Sequence, residues 1–316
     1  MTIHTRLLVI GSLNMDVVVR VERHPLPGET LLGSPYQTFT GGKGGNQAVA
    51  AARAGGEIQF IGCVGSDGFG SQLLAELQAS RVQISGVERV DGPSGIAFIV
   101  VDNRGQNSIV VSPGANLHVE PEQLRVLKEA NSALSTADIL MMQLEIPLET
   151  VEEAIGQASA RAIPVLLNPA PAQTLSPELL AQVSYLVANE NEAALLAGQP
   201  ANVIGNVRTA VEVAKALVSK GVGTAIVTLG AQGVVWFDGC KAGHVPALSV
   251  SVVDTTAAGD AFCGALAVKL GEGAALTEAI SFANAAGAVS VTRMGAQASL
   301  GDRNEIELLR HSKRAP

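Results

Sequence analysis

The sequence predicts an α/β protein built around a mainly parallel β-sheet that helices cover on both faces. From position 121 onward, short apolar runs alternate regularly with segments of helical character, which is the pattern of successive βα units. Glycine (34 of 316 residues) and alanine dominate the composition, and such small side chains suit close packing of helices on a sheet. Because the chain shows no repeat, low-complexity tract or linker, we interpret residues 1–316 as a single domain.

The individual elements are predicted in chain order from the spacing at which apolar residues recur and from the positions of turn-forming residues. The first half is expected to hold strands at 7–11, 17–21 and 58–62, helices at 48–54 and 71–80, and a hairpin of strands at 95–101 and 108–111. The second half is expected to hold helices at 121–130, 148–161, 207–219, 259–270 and 276–288, strands at 138–142, 165–168, 185–188 and 225–229, and an apolar strand-like run at 248–253. The tail at 311–316 is polar and is expected to fray.

Two segments do not fit the βα alternation. Residues 14–40 contain Pro25, Pro27 and Gly28 and have no helical period, and residues 95–111 have the pattern of a β-hairpin. Prolines and glycines of this kind are typical of edge strands and turns rather than of a central sheet. Together the two segments predict a small sheet or flap outside the main sheet.

Charge and cysteine content exclude several classes of protein. A net charge of −8 argues against nucleic acid or an anionic membrane as the main partner. Three cysteines without close spacing indicate a reducing compartment without structural disulfides or zinc. The start has no signal peptide and no apolar run is long enough to span a membrane. We therefore expect a cytoplasmic protein.

The run at 254–260 is the strongest functional signal. The N–H groups of Ala257, Ala258 and Gly259 are expected at a helix N-terminus, where unpaired donors and the helix dipole favour an anion. Asp260 falls in the first turn of that helix, and a carboxylate beside an anion site is suited to general-base catalysis on an attacking hydroxyl. The alternative is structural: Asp254 would end a strand and Asp260 would merely cap a helix.

A second glycine-rich run, GGKGGNQ, lies at 41–47 before the predicted helix. It is not a Walker A loop, because Lys43 is followed by glycine, and it is not GxGxxG, because Gln47 takes the third position. By itself the run indicates either a close backbone approach to a ligand or a structural turn. In parallel sheets ligands bind at the carboxyl ends of strands, and the expected strand ends fall at 11–16, 141–145, 168–169, 189–192, 228–233 and 254–260.

Nine motifs, taken in order and spacing, resemble the ribokinase-like (PfkB) sugar kinases over nearly the whole chain. They are GSLNMD (11–16), PGET (27–30), GGKGGNQA (41–48), MQLE (142–145), LNPAP (167–171), NENE (189–192), TLG with a later glycine (228–233), DTTAAGD (254–260) and TRMGAQ (292–297). The resemblance implies a ribokinase-like three-layer αβα sandwich with a small β-sheet lid, formed by insertions at about 14–40 and 95–111.

The resemblance also assigns the sugar site. In that family the sugar lies under the lid, and the matching positions here are Asn14, Asp16, Gly42, Lys43, Asn46 and Glu145, with Asp260 at the reacting hydroxyl. Short donors and acceptors of this kind can bind sugar hydroxyls in pairs, and they disfavour an analogue that lacks a hydroxyl.

Roles in phosphoryl transfer follow from the same likeness. Asp260 matches the general base, and the N–H groups of Ala257, Ala258, Gly259 and Asp260 match an anion hole. Asn189 and Glu192 match a motif that organises Mg²⁺ largely through water. Without the resemblance, the same pair is typical of a helix cap with its N3 partner, and the two roles can coexist.

The resemblance implies two further ligand sets. The nucleotide site would use Asn189, Thr228, Gly230, Gly233 and Gly259, with Asn284 where the family often has a histidine near the adenine. An activating K⁺ would be held by Asp254, by the main chain of Thr256, Ser290, Arg293 and Gly295, and by Ser299.

Three positions depart from the usual family pattern. Gly45 replaces a more common alanine, and Asn284 replaces the frequent histidine, which bears on the adenine contacts. Met15 is bulkier than the small residue common there and stands between two presumed sugar ligands, so it bears on sugar preference.

The implied activity is ATP-dependent phosphorylation of D-ribose at O5, giving D-ribose 5-phosphate and ADP, with Mg²⁺ and K⁺. A related kinase acting on 2-deoxyribose or a nucleoside is the nearest alternative. A non-catalytic sugar- or nucleotide-binding regulator is a different class, and a dehydrogenase lacks its dinucleotide motif. We also expect a homodimer formed through the lid, since an exposed β edge invites pairing.

Overall fold

The structure is a computed structural model that describes residues 5–128 and 133–312. Its strands are β1 (Arg6–Ile10), β2 (Asn14–Arg20), β3 (Gln37–Gly41), β4 (Glu57–Gly65), β5 (Gln83–Val90), β6 (Gly95–Val101), β7 (Asn107–Ser112), β8 (Ile139–Met142), β9 (Val165–Leu167), β10 (Tyr185–Asn189), β11 (Thr224–Thr228), β12 (Val234–Phe237) and β13 (Ala242–Val245). They form two sheets.

The helices are α1 (Lys43–Arg53), α2 (Gly68–Ala79), α3 (Ala133–Thr136), α4 (Leu148–Ser159), α5 (Pro177–Leu180), α6 (Glu190–Ala197), α7 (Val207–Ser219), α8 (Ala258–Gly271), α9 (Leu276–Ser290) and α10 (Arg303–Ser312). Short 3₁₀ turns lie at Gly114–His118, Pro121–Lys128, Gly230–Gln232 and Gln297–Ser299. Within the two described ranges, no helix combines the length and the apolar character that crossing a membrane requires.

The main sheet has nine strands in the order β13-β12-β11-β10-β9-β8-β1-β4-β5. All neighbours pair in parallel except β11 with β12 and β12 with β13. Side chains of β1 alternate between two buried clusters, with Leu7 and Val9 facing α1, α2, α8 and α9, and Leu8 and Ile10 facing α4 to α7. This is the predicted three-layer α/β architecture, which is confirmed.

The second sheet, called the small sheet below, has the order β3-β2-β6-β7. Strands β2 and β6 pair in parallel, and the outer pairs are antiparallel. Its strands come from the two segments that the sequence sets apart from the main sheet. Every residue of the outer strand β7 is exposed, including Ile109, Val110 and Val111.

Several elements differ from the sequence prediction. The strand expected at 248–253 is wrong, because this segment is irregular and the N–H groups of Val253 and Asp254 both donate to the carbonyl of Val291 instead of to a strand. Val252 and Val253 are correspondingly exposed. The helix expected at 121–130 is a 3₁₀ turn, and its last two positions lie outside the described residues. Strands β3, β5, β12 and β13 and helices α3, α5, α6 and α10 were not predicted. Helix α10 includes positions 311 and 312 of the tail that was expected to fray.

The hairpin of β12 and β13 carries two unusual side chains. Trp236, the single tryptophan of the chain, lies on β12 with 7% of its surface exposed. Cys240 is exposed in the connecting turn, where the Asp238 carboxylate accepts hydrogen bonds from the N–H groups of Cys240 and Lys241. The other two cysteines, Cys63 and Cys263, are free thiols buried in the interior.

Candidate active site

A polar cluster lies where the carboxyl ends of the central strands meet the small sheet. Glu145, three residues beyond β8, connects its members. Its Oε2 atom accepts hydrogen bonds from Ser12 Oγ at 2.6 Å, from the N–H of Lys43 at 3.0 Å and from Asn14 Nδ2 at 3.4 Å. The predicted residues Asn14, Lys43 and Glu145 are therefore brought together, and Ser12 joins them.

The orientation of the Asn14 amide is fixed by a residue that the motifs do not contain. Asn116, buried in the 3₁₀ turn at Gly114–His118, donates from Nδ2 to Asn14 Oδ1 at 2.7 Å. Its amide also bonds both main-chain groups of Leu13, accepting from the N–H at 2.8 Å and donating to the carbonyl at 3.2 Å. As a result, Asn14 presents its NH₂ group toward Glu145.

Asp16 lies one pleat further along β2 and is 8% exposed. Burial raises the pKa of its carboxyl to about 7, helped by the negative charges of Glu145 and Asp260 and opposed by Lys43. Met15, between Asn14 and Asp16, is buried in the core cluster with Val9 and Leu13. Successive side chains of a strand point to opposite faces, so Met15 faces the core and not the polar cluster.

Lys43 supplies the positive charge of the cluster. Burial lowers the pKa of its ammonium, but the carboxylates of Asp260, Glu145 and Glu192 outweigh that effect and leave the pKa raised. Lys43 is the first residue of α1, and the preceding Gly42 has a left-handed backbone with φ of 84°. The glycine-rich run therefore holds the first helical turn, which corrects the predicted helix start at position 48.

Asp260 lies in the first turn of α8, buried to 6% exposure. Its Oδ2 atom accepts from Asn46 Nδ2 at 2.9 Å and its Oδ1 atom accepts from Gln47 Nε2 at 3.0 Å. The Oδ1 atom of Asn46 is buried and has no hydrogen-bond partner among residues 5–128 and 133–312. Helix α1 thus delivers two adjacent amides to one carboxylate, and only the first of them was predicted as a site residue.

The N-terminus of α8 is open toward this cluster. Ala257 has a left-handed backbone with φ of 60°, which is uncommon for a residue with a Cβ. The N–H of Ala258 donates to the carbonyl of Thr255 at 3.3 Å, whereas the N–H groups of Gly259 and Asp260 have no main-chain acceptor in the described part of the chain. Gly259 is exposed, so these donors are accessible to an anion.

Asn189 and Glu192 form a capping box at the start of α6. The Asn189 side chain accepts from the N–H of Glu192 at 3.0 Å, and Glu192 Oε2 accepts from the N–H of Asn189 at 2.9 Å. Burial raises the pKa of Glu192, opposed by Lys43 and supported by Asp260. Glu192 therefore lies in the field of the same cluster. No group of three or more His, Cys, Asp or Glu side chains in residues 5–128 and 133–312 could hold a metal ion.

Four of the predicted nucleotide residues lie at or next to the end of β11: Asn189, Thr228, Gly230 and Gly233. Thr228 is directly opposite Asn189 in the pairing of β10 and β11. Gly233 has φ of 94°, and a Cβ there would lie 2.1 Å from the carbonyl oxygen of Val245, so only glycine fits. Gly230 starts the 3₁₀ turn between them. Asn284, on α9, donates from Nδ2 to the carbonyl of Pro246 at 2.8 Å and so fixes the segment that follows β13.

The predicted K⁺ ligands lie on two loops that Asp254 connects. Its Oδ1 atom accepts from the N–H and the hydroxyl of Thr256 at 2.9 and 2.7 Å, and its Oδ2 atom accepts from the N–H of Gly295 at 3.0 Å. Burial raises the pKa of this carboxyl, but these hydrogen bonds outweigh burial and the pKa is lowered. The Ser290 carbonyl accepts from the N–H of Arg293, and the Ser299 hydroxyl donates to the carbonyl of Ala296.

Comparison with known proteins defines the class. The pfkB family carbohydrate kinases match residues 4–303, and the chain belongs to this family. A ribokinase from Haemophilus influenzae is 41% identical over 308 residues, which cover 97% of this chain and 99% of the relative. A deoxyribokinase from Salmonella typhi is 38% identical over 297 residues, covering 92% and 94%. The solved structure of Arabidopsis thaliana ribokinase complexed with ribose and ATP is 32% identical, with a TM-score of 0.88 and coverage of 98% and 99%.

Proposed function

We propose that the chain phosphorylates D-ribose at O5 with ATP and releases D-ribose 5-phosphate and ADP. The observation that carries the proposal is the position of Asp260, whose carboxylate lies beside the open N-terminus of α8 and contacts the sugar-side residue Asn46. A base and an anion site on one helix turn suit transfer of a phosphoryl group to a hydroxyl. Family membership and similarity to ribokinases support the same reaction.

In this proposal the sugar lies between the small sheet and α1. Asn14, Asp16 and Glu145, with Gly42, Lys43 and Asn46, bind its hydroxyls, and the small sheet acts as the lid. The NH₂ group of Asn14 donates, and the carboxylates of Asp16 and Glu145 accept. Asn46 Oδ1 gains a hydrogen-bond donor, which the described residues do not supply.

Asp260 accepts the proton of the attacking hydroxyl as the bond to phosphorus forms. The N–H groups at 257–260 bind the transferred phosphoryl oxygens. Those of Gly259 and Asp260 have no main-chain acceptor in the part of the chain that the structure describes. Lys43 adds positive charge between the reactants.

ATP would be held by Asn189, Thr228, Gly230, Gly233 and Gly259, with Asn284 near the base. Mg²⁺ would be organised by Asn189 and Glu192. These residues fit Mg²⁺ in two ways. The capping box uses only Oε2 of Glu192, which leaves Oε1 for the ion or its water. One carboxylate and one amide are also enough for an ion that keeps most of its bound water. Bound there, Mg²⁺ would offset phosphate charge.

K⁺ would be held by Asp254, by carbonyls of Thr256, Ser290, Arg293 and Gly295, and by Ser299. The fit again rests on chemistry: the donor set is oxygen only, as a hard cation prefers, and Asp254 already connects the two loops. A cation at this place would add positive charge next to the N-terminus of α8.

The proposal includes a cytoplasmic homodimer. Strand β7 supports pairing of two small sheets edge to edge, because each of its residues is exposed and Ile109, Val110 and Val111 are apolar.

A kinase acting on 2-deoxyribose or a nucleoside is the second candidate, because the deoxyribokinase is 38% identical to this chain, nearly as similar as the ribokinase. The test is ADP release with Mg-ATP and ribose, 2-deoxyribose, fructose or a nucleoside, each with and without K⁺. We expect the fastest turnover with ribose and an increase with K⁺. Faster turnover with another acceptor would contradict the sugar assignment, and no turnover on any acceptor would contradict the proposed reaction.

The role of Asp260 has its own test. Asp260→Asn keeps the size of the side chain but removes the group that accepts the proton, so kcat should fall by about 100-fold or more. Near-unchanged kcat in the variant, with folding verified by its thermal transition, would contradict the general-base role.

A further inference from the structure

Behind Asp260 lies a group of buried amide side chains that the motif roles leave unexplained. Gln47 and Gln143 are 0% exposed, and Asn168 is 9% exposed. They come from three different parts of the fold: Gln47 lies in α1, Gln143 directly follows β8, and Asn168 directly follows β9. Burying three amides is costly unless they are hydrogen-bonded, so their bonds indicate what the group does.

The bonds form one connected chain that ends on Asp260. Gln143 Nε2 donates to Gln47 Oε1 at 2.7 Å, and Gln47 Nε2 donates both to Asp260 Oδ1 at 3.0 Å and to Asn168 Oδ1 at 3.1 Å. Asn168 Nδ2 in turn donates to the carbonyl of Val187 on β10 at 2.9 Å. Buried side chains at the carboxyl ends of β8 and β9 thereby hold the amide of Gln47 in place.

The direction of the Gln47 amide follows from donor and acceptor chemistry. An ionised carboxylate can only accept, so the NH₂ group of Gln47 must face Asp260 and its oxygen must face away. Gln143 donates to that oxygen, and Asn168 presents its own oxygen to the NH₂ group. Every bond in the chain favours the same orientation.

We propose that Gln47 is the positioning residue of the proposed reaction: it holds the Asp260 carboxylate in the orientation that receives the proton of the acceptor hydroxyl. Gln143 and Asn168 fix Gln47. This inference rests on the proposed function, because it assigns Gln47 a task only if Asp260 is the base.

The two oxygens of Asp260 differ in a way that supports this role. Oδ2 is bound by Asn46, which also belongs to the proposed sugar site, so this bond can change when a sugar binds. Oδ1 is bound by Gln47, which is completely buried. One oxygen is thus bound by an interior side chain, while the other is bound by a residue of the proposed sugar site. Because amides do not titrate, the support is the same at all pH values at which the protein is folded.

The test compares Gln47→Met with the unmodified chain. Methionine fills a similar volume but removes both hydrogen-bonding groups, so kcat should fall roughly 10- to 100-fold through loss of orientation. KM for sugar and for ATP should change by less than about 3-fold, since Gln47 touches neither reactant.

A matched control is Gln157→Met on α4. Gln157 is also a buried glutamine, 8% exposed, but its amide donates to Glu153 Oε1 on the same helix. Loss of that amide should leave kcat and both KM values unchanged, even if thermal stability falls. Equal losses of kcat in the two variants would overturn the inference, because the effect would then be general destabilisation.

A double-variant comparison tests whether Gln47 acts through Asp260. In the Asp260→Asn background there is no base to orient, so adding Gln47→Met should leave the residual rate unchanged within about 2-fold. A further loss as large as that in the unmodified background would overturn the proposal. All assays use the acceptor on which the unmodified chain is fastest, so that a wrong sugar assignment leaves the test of Gln47 intact.

Discussion

Asp16 is a carboxyl group whose protonation should change when a sugar binds. Its pKa is about 7 in the free protein, raised by burial and by the charges of Glu145 and Asp260. In the proposed complex, sugar hydroxyls donate to Asp16 and favour its charged form, which lowers the pKa. Sugar binding is therefore coupled to release of a proton, and the affinity should weaken as the pH falls below 7.

We predict release of about half a proton per sugar at neutral pH, because a group with a pKa near the ambient pH is half protonated before binding. Calorimetry in buffers with different ionisation enthalpies measures this number directly. In Asp16→Asn the release should disappear and the affinity should fall. Unchanged proton release in that variant would mean that another group titrates.

At the residue scale, the sequence motifs predicted polar residues that the structure brings together, but they missed the residues that orient them. Asn14, Lys43, Glu145 and Asp260 were predicted and do converge. Asn116 and Gln47 were not assigned a role, because their importance lies in contacts with residues more than 100 positions away. The signal available for Gln47 was a glutamine in a helix of otherwise small side chains. Such a glutamine cannot be assigned a role until its hydrogen-bond partner is known.

Among the elements, strand β7 has the clearest consequence for assembly. Its inner edge pairs with β6, and all six of its residues are exposed. An unpaired edge with apolar side chains is normally protected by charge, by a bulge or by a partner strand. Here Ile109, Val110 and Val111 supply none of that protection, which supports pairing with a second copy.

We expect the chain to be a dimer at micromolar concentration and Val110→Glu to shift it to monomer, because a charge on the edge opposes pairing. Light scattering coupled to size exclusion distinguishes 32.3 kDa from twice that mass. Leu308→Glu is the control, since Leu308 is comparably exposed (72% against 68%) but lies on α10. A monomeric unmodified chain, or dissociation by both variants alike, would contradict dimerisation through β7.

In helix α1 the glycine-rich run was correctly recognised from composition, but it was wrongly predicted to lie in a loop before the helix. Glycines at 41–45 predicted a loop before a helix, yet Gly44 and Gly45 are helical. The glycines serve close packing instead: a Cβ on Gly44 would lie 2.5 Å from the main-chain nitrogen of Ser12. Propensity disfavours glycine in a helix by about 1 kcal/mol relative to alanine, and tertiary contact overrides it here.

Across the whole molecule, the sequence predicted the parallel strands of the main sheet far better than the strands at the edges of that sheet. Helix α7 was predicted with its observed bounds, and β8 to β11 within about a residue or two, because strands buried on both faces have unbroken apolar runs. The antiparallel strands β12 and β13 were missed. Conversely, the run at 248–253 is apolar enough for a strand but finds no pairing partner beyond β13, so apolar character alone could not settle its structure.

The hairpin of β12 and β13 gives the molecule a native optical reporter. Its first strand begins directly after Gly233 and carries the only indole of the chain, Trp236, while its turn exposes Cys240. Burial raises the thiol pKa of Cys63 and Cys263 and slows their reaction with alkylating dyes. Dye attached to the unmodified chain would therefore collect at Cys240, within energy-transfer range of Trp236. Energy transfer within this pair would report on the hairpin that directly follows the loop proposed to hold ATP, without any engineered label.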